Sequence, residues 1–162
     1  MDASRPKAGI MVGSPNDLEK IQEARDILER LGIPYEVRVL SAHRTPELTA
    51  DYVKNAEERG LEILVACAGL AAHLAGTVAA YTRLPVIGVP LASGALSGLD
   101  SLLSTVQMPT GVPVATVAVD GVKNAAFLAG RILAIKHPEI REQLDEAMTA
   151  MRKAYEKDAR DE

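Results

Sequence analysis

The chain has 162 residues and carries 18 basic against 22 acidic side chains, a net charge of −4 at pH 7. This length predicts one domain over 1–162, with its core at about 8–137 and a helical tail at about 138–160. The acidic balance and the lack of a long basic block argue against a nucleic-acid partner. One cysteine excludes an intrachain disulfide, and three histidines without Cys/His spacing indicate no metal site.

Two segments bear on cellular location. Residues 1–7 lack the apolar core of a signal peptide, so we expect a cytoplasmic protein. The run Leu64–Tyr81 is uncharged and approaches the length of a membrane span. It consists mostly of alanine and glycine with His73 at its centre, which suits a buried strand, a glycine-rich turn and a small-residue helix better. We therefore expect no membrane contact.

The first half of the chain predicts two strand–helix units. Residues 7–13 form a short apolar strand, and the apolar spacing over 18–31 is that of a helix with one buried face. The alternation in Tyr35–Leu40 predicts a second strand, followed by a helix at about 46–59. Its start is marked by Thr45-Pro46, a good N-cap before a residue that suits the first helical position.

The second half repeats the strand–helix unit three times. The predicted strands and following helices are, in order, 61–66 and 71–82, 85–90 and 99–107, and 112–119 and 123–136. Five short apolar strands alternating with helices predict an α/β fold with a parallel sheet covered on both faces. The charged tail from Pro138 has apolar residues along one side, so it needs a surface on its own domain or on a neighbouring copy.

Polar and flexible residues gather after the predicted strands. They are Ser14 and Asp17 after the first strand, Ser41 to Arg44 after the second, Gly69 and His73 after the third, and 93–98 after the fourth. Ligands of open parallel sheets bind at this edge, where the strand order reverses. The sequence therefore predicts a pocket with hydroxyls for a phosphate, Asp17 for a diol, Arg44 for an anion and His43 for a proton.

Each of these residues also has a purely structural explanation. The residues after the first strand are common helix caps, Gly69 is a common turn residue, and backbone groups could satisfy His73 on a helix face. Cys67 is more often a small buried hydrophobe than a nucleophile. His137 suits a helix end, where its charge would complement the last carbonyl groups. The functional hypothesis depends on the joint placement at one sheet edge.

Six motifs stand in order between about residues 8 and 137. They are Gly13-Ser14-x-x-Asp17, Ser41-Ala42-His43-Arg44-Thr45-Pro46, Ala68-Gly69-x-Ala71-Ala72-His73-Leu74-x-Gly76, Leu84 to Pro90, Asp100 to Thr116, and Asn124-Ala125-Ala126. This set closely resembles the PurE family, the N5-carboxyaminoimidazole ribonucleotide mutases and aminoimidazole ribonucleotide carboxylases of purine biosynthesis. The resemblance implies a flavodoxin-like three-layer α/β/α subunit with a parallel five-stranded sheet and an extra C-terminal helix. It also implies a homo-octamer, with active sites near subunit contacts and the C-terminal helix packed on a neighbour.

The same resemblance implies roles for individual residues. The substrate-binding residues would be Ser14, Asn16, Asp17, Ser41, Arg44, Ala68, Gly69, Leu70 and His73. Ser14, Ser41 and Arg44 would hold the ribonucleotide phosphate and Asp17 the ribose hydroxyls, while the residues from 68 to 73, with the 93–98 loop, would surround the base and the migrating carboxyl group. His43 would be the catalytic acid and base.

The implied chemistry requires no cofactor. An N-carboxylate can leave as carbon dioxide, and a closed, dry cavity keeps the gas beside the nucleophilic ring carbon. Carboxylation at that carbon leaves one proton to remove. His43 can take this proton with no metal, biotin or ATP.

Some positions depart from the pattern of the bacterial mutases. Asn16 replaces a serine among the phosphate contacts, where an amide can still donate. Leu70 replaces a glycine and Ala75 a proline in the pocket turn, which bears on the source of the carboxyl group. The short turn Val119–Gly121 resembles archaeal or carboxylase-type sequences. Arg44 favours the mutases, because the animal-type carboxylases tend to carry lysine there.

Three functions therefore compete. The first is an isomerase that moves the carboxyl group of N5-carboxyaminoimidazole ribonucleotide to ring carbon 4. The second is direct carboxylation of aminoimidazole ribonucleotide by dissolved carbon dioxide in the same pocket. The third is a non-catalytic nucleotide-binding module, which gives no reason for His43.

Overall fold

The computed structural model describes residues 5–158, which form a sheet of five strands with helices on both faces. The strands are β1 (Ala8–Val12), β2 (Tyr35–Val39), β3 (Ile63–Gly69), β4 (Val86–Leu91) and β5 (Ala115–Thr116). The helices are α1 (Gln22–Arg30), α2 (Pro46–Lys54), α3 (Leu74–Tyr81), α4 (Leu99–Val106), α5 (Val122–Leu133) and α6 (Pro138–Asp158). No helix in the described range is long and apolar enough to cross a membrane.

All neighbouring strands are parallel, and their order is β2-β1-β3-β4-β5. Val12 pairs with Val39 on one side and with Cys67 on the other, so the carboxyl ends of the first three strands lie at one level. The chain passes from β1 to β2 on one side of it and then from β2 to β3 on the other side, so the direction of strand addition reverses at β1. A crevice therefore opens at the ends of β1 and β3. This is the flavodoxin-like strand order, which confirms the predicted fold.

The core divides into two layers because successive side chains of a strand point to opposite faces. Ile10 and Val12 face the layer of α1 and α5, whereas Met11 faces the layer of α2 and α3. All five residues of β1 are buried, as its central position in the sheet requires. Burying each large apolar side chain contributes roughly 1.5–3 kcal/mol, so both layers hold the central strands firmly.

Helix α6 packs on its own domain with its first half. Ile140 and Leu144 are buried in the core layer of α1 and α5. Further along the helix, Met151 and Tyr155 are 41% and 74% exposed. Of the two surfaces expected for the tail, its own domain therefore covers the first half, while the second half leaves apolar side chains uncovered.

Strand β5 is much shorter than the predicted strand at 112–119. Only Ala115 and Thr116 pair with β4, although the backbone N–H of Asp120 still donates to the Pro90 carbonyl at 2.9 Å. This bond shows that the Pro90 backbone faces β5. Because proline has no N–H to donate to that strand, the hydrogen-bond ladder between β4 and β5 is interrupted at Pro90.

Local hydrogen bonds explain the other differences from the predicted helices. A 3-10 turn (Pro15–Asp17) precedes α1, so the predicted start at residue 18 was wrong and Leu18 is exposed. Helix α2 ends at Lys54 rather than near residue 59. At this end the side-chain amide of Asn55 donates to the Asp51 carbonyl and competes with the helical hydrogen bonds of the backbone. Helix α3 begins only at Leu74, so His73 precedes the helix instead of lying on its face.

His137 was wrongly predicted as a charge complement at a helix end. Its ring is buried between α5 and α6, and its Nε2 lies 2.9 Å from an oxygen of Glu62. Lys136 also contacts Glu62, at 3.1 Å. Burial alone would raise the pKa of the Glu62 carboxyl, but the hydrogen bonds from His137 and Lys136 outweigh burial and leave this pKa below its ordinary value.

We expect Glu62→Gln to lower the free energy of unfolding at pH 7 by about 1 kcal/mol, a typical contribution of one hydrogen-bonded pair. Because the folded-state pKa of Glu62 is depressed, its contribution is fully present above the unfolded value of 4.5 and is lost as the pH falls through the folded value. The difference between wild type and variant should therefore shrink in acid. Urea denaturation at neutral and acidic pH measures it, with Glu58→Gln, an exposed glutamate, as control.

Candidate functional site

A pocket of about 650 Å³ opens at the carboxyl ends of β1, β2 and β3. All ten site residues predicted from the sequence line it: Ser14, Asn16, Asp17, Ser41, His43, Arg44, Ala68, Gly69, Leu70 and His73. Of the 93–98 loop, Ser93 lines the pocket. The volume lies in the range of small-molecule sites.

The segment after β1 provides a hydroxyl and a carboxylate. Ser14 caps the 3-10 turn, because its Oγ accepts from the Asn16 backbone N–H at 3.3 Å. The Asp17 side chain is 16% exposed. Burial raises the pKa of the Asp17 carboxyl, while the charges of Lys20 and Arg44 oppose this rise. An acceptor held between two cations suits hydroxyl groups of a ligand.

The loop after β2 is held by its own polar side chains. The Ser41 N–H donates to Thr45 Oγ1 at 3.0 Å, and this hydroxyl donates to the Ser41 carbonyl at 3.1 Å. Thr45 occupies the N-cap position of α2 and Pro46 begins the helix, both as predicted, but the Thr45 side chain makes no cap bond to the helix. Its hydroxyl instead stabilises the turn that carries His43.

Arg44 joins two strand ends. Its Nη2 donates to the Gly13 carbonyl at 2.7 Å, and its Nε lies 3.4 Å from Ser41 Oγ. The Ser41 hydroxyl also accepts from the Arg44 backbone N–H at 3.2 Å. A guanidinium carries five N–H donors, so most of them remain for an anion beside the two serine hydroxyls.

The segment after β3 approaches both the next strand and the His43 loop. A Cβ at Gly69 would lie 3.1 Å from the Leu91 carbonyl oxygen and 3.2 Å from Ser93 Oγ, so glycine permits this close contact. Leu70 follows in a left-handed conformation with φ of 55°, which costs a residue with a Cβ roughly 1 kcal/mol. Its side chain is 53% exposed at the pocket.

The two pocket histidines contact each other directly. His43 Nε2 and His73 Nδ1 are 3.2 Å apart, and the ring centroids are 5.1 Å apart with a tilt of 37°. The sequence placed both residues at the same sheet edge but gave no sign of this bond, because the two loops are separated by 29 residues of chain that include α2 and β3.

Lys20 also lines the pocket, although it was not predicted from the sequence. Its Nζ donates to the Ala92 carbonyl at 2.8 Å and lies 3.9 Å from Asp17 Oδ1. The spacing of three residues from Asp17 was the available signal, because residues at this spacing share one side of a helical turn. The lysine connects the segment after β1 with the end of β4.

The described residues include no group of three or more histidine, cysteine, aspartate or glutamate side chains placed to hold a metal ion.

Cys67 lies under the pocket and is 1% exposed. Burial raises the pKa of its thiol to about 12, and the nearby Asp17 charge acts in the same direction. We expect the native protein to resist an aromatic disulfide reagent at neutral pH and the unfolded protein to release one equivalent, since the chain has one cysteine. Rapid reaction of the native protein at neutral pH would contradict the structural role.

Comparisons with known proteins agree with this fold. The family model for AIR carboxylase matches residues 7–154. The N5-carboxyaminoimidazole ribonucleotide mutase of Pyrococcus horikoshii is 57% identical over 99% of this chain and 90% of its own length. The mutase of Saccharolobus solfataricus is 58% identical over 91% and 93%. The crystal structure of Treponema denticola PurE superimposes with a TM-score of 0.83 at 31% identity, covering 96% of this chain and 98% of its own. The chain therefore belongs to the AIR carboxylase family.

Proposed function

We propose that the protein is an N5-carboxyaminoimidazole ribonucleotide mutase, which moves the carboxyl group of its substrate from the exocyclic nitrogen to ring carbon 4. One observation carries the proposal: His43 shares a pocket with Asp17 and with the donor groups of Ser14, Ser41 and Arg44. Relatives with that name match nearly the whole chain at 57% and 58% identity, which supports this choice of substrate.

The charges of the pocket suit a ribonucleotide. The hydroxyls of Ser14 and Ser41, with the free donors of Arg44, form a site for the phosphate. Asp17 accepts hydrogen bonds from the ribose hydroxyls. Ala68, Gly69 and Leu70 then lie beside the base, where their small or apolar surfaces leave few groups to hydrate a carboxylate.

The proton balance of the reaction matches a single acid–base residue. Breaking the bond between nitrogen and the carboxyl group releases carbon dioxide, and the nitrogen gains one proton. Ring carbon 4 then attacks carbon dioxide and loses its own proton. One proton is given and one is taken, so His43 can return to its starting state after each turnover without another reagent.

The carboxyl donor is tested by giving the purified protein each substrate separately. The N-carboxylated nucleotide should be converted without added bicarbonate, and labelled carbon dioxide in solution should enter the product slowly relative to turnover. Efficient use of aminoimidazole ribonucleotide with bicarbonate, while the N-carboxylated compound acts only after it has decayed, would instead establish direct carboxylation.

Direct carboxylation is the second candidate because of one feature of the pocket turn. Leu70 stands where the resemblance places a glycine, and it keeps an unfavourable backbone conformation at an exposed position beside the pocket. A changed turn there could admit carbon dioxide from solution. Comparing kcat/KM of wild type and Leu70→Gly for the two substrates decides whether this residue influences the donor.

We also propose a closed homo-octamer. The observation that supports it is apolar surface that the subunit leaves uncovered. Leu99, Leu103 and Val106 on α4 are 54%, 49% and 47% exposed, and Met151 is uncovered on α6. Light scattering at micromolar concentration should give eight times the 17.2 kDa subunit mass. Leu103→Asp should reduce that mass if α4 lies in a subunit contact, whereas a monomeric wild type would contradict the octamer. The cytoplasmic location stays a prediction.

A further inference from the structure

The ring of His43 has one hydrogen-bond partner among residues 5–158, and this partner is His73. The backbone of the His43 loop is fixed by the paired bonds of Ser41 and Thr45. Those bonds do not reach the imidazole, which projects into an open pocket and is exposed. The orientation of the ring therefore depends on its contact with His73.

His73 is well placed to orient another ring. It directly precedes α3, and its carbonyl accepts the Thr77 N–H at 3.1 Å, within the first turn of that helix. Its chain neighbours Ala72 and Leu74 are each 2% exposed. Core packing on both sides fixes the backbone of His73, while its imidazole stays at the pocket surface.

We propose that His73 is a positioning residue that fixes the orientation and tautomer of His43. A hydrogen bond between two neutral imidazoles requires a proton on one nitrogen and a lone pair on the other. In this assignment Nε2 of His43 carries the proton and donates to the bare Nδ1 of His73. His43 then presents Nδ1 to the substrate. This inference rests on the proposed function, in which His43 transfers the proton.

The assigned tautomer remains the same throughout the reaction. When His43 is protonated, Nδ1 carries the proton that passes to the substrate nitrogen, and Nε2–H still donates to His73. When His43 is neutral, the bare Nδ1 takes the proton from ring carbon 4. The bond to His73 becomes charge-assisted whenever His43 is protonated, so it is strongest in the state that carries the charge. His73 thus orients His43 in the way that the aspartate of a catalytic triad orients its histidine, but His73 does so without a negative charge.

The kinetic test uses two variants of similar size, His73→Leu and His73→Asn. Leucine cannot accept a hydrogen bond, whereas the asparagine amide can place its oxygen near the former Nδ1. We expect His73→Leu to lower kcat by about tenfold or more with little change in KM, and His73→Asn to restore most of the loss. A rise in KM with unchanged kcat would overturn the inference, because it would make His73 a plain substrate contact.

Nitrogen NMR of the histidines gives a second measurement that requires no turnover. The chain has three histidines, so the signals can be assigned with His43→Gln and His137→Gln. At about pH 9, where imidazoles are neutral, wild-type His43 should show one protonated nitrogen, Nε2. His73→Leu should give a mixture of tautomers and His73→Asn the wild-type signal.

The two measurements separate this inference from the proposed function. A tautomer that depends on His73, in a protein that converts neither substrate, would support the positioning role and reject the mutase. An active enzyme whose His43 tautomer and kcat are unchanged in His73→Leu would reject the positioning role alone. Thermal denaturation of each variant should match wild type, because the His73 side chain is exposed.

Discussion

Replacing His43 with glutamine should lower kcat by on the order of a hundredfold or more while substrate binding changes far less. The glutamine amide can still reach toward His73, and the exposed position tolerates the change, so the pocket should keep its shape. What glutamine cannot do is hold a transferable proton. Single-turnover rates and the dissociation constant of the substrate, both measured on the purified variant, separate these two effects.

His43→Asn provides a matched second variant, because it removes the same acid–base group with a shorter side chain. If both variants keep most of the wild-type turnover, His43 is not the proton carrier. If both lose binding in proportion to turnover, the histidine contributes mainly to holding the substrate. A non-catalytic binding module predicts no activity in the wild type either, so the wild-type assay with both substrates serves as the reference.

The order of strands and helices followed from the sequence because each strand is a short apolar run bounded by turn residues. β1 and β3 are buried along most of their length, and buried parallel strands give continuous apolar segments. The exact ends of the elements did not follow, because single hydrogen bonds determine them. Pro90 on β4 interrupts the pairing with β5. The apolar pattern at 112–119, from which a longer strand was predicted, contains no sign of this interruption.

The pocket was predictable for a topological reason. Residues after parallel strands share one edge of the sheet, so Ser14, Ser41 and Gly69 were expected together without knowledge of any distance. The contacts that orient their neighbours were not predictable. Two examples are the bond between His43 and His73 and the bond from Lys20 to the Ala92 carbonyl. Both depend on how separate loops pack against each other, and the sequence shows only which residues those loops contain.

Arg44→Ala should act mainly on binding. A charge-assisted hydrogen bond contributes about 1.5–3 kcal/mol, so the KM for the nucleotide should rise roughly tenfold to hundredfold, with a smaller change in kcat. Arg44 also holds the Gly13 carbonyl at 2.7 Å, and losing this bond should loosen the contact between the ends of β1 and β2. Urea denaturation of the variant shows how much of the effect comes from that structural contact.

Arg44→Lys is the informative control, because it keeps the positive charge and loses the planar fork. Inorganic phosphate should compete with substrate in the wild type, compete more weakly in Arg44→Lys, and compete least in Arg44→Ala. Competition should also weaken with added salt, since exposed charges are screened. Unchanged phosphate inhibition in Arg44→Ala would show that the serine hydroxyls bind the phosphate without the guanidinium. In that case Arg44 would serve only to join the two strand ends that carry Ser14 and His43.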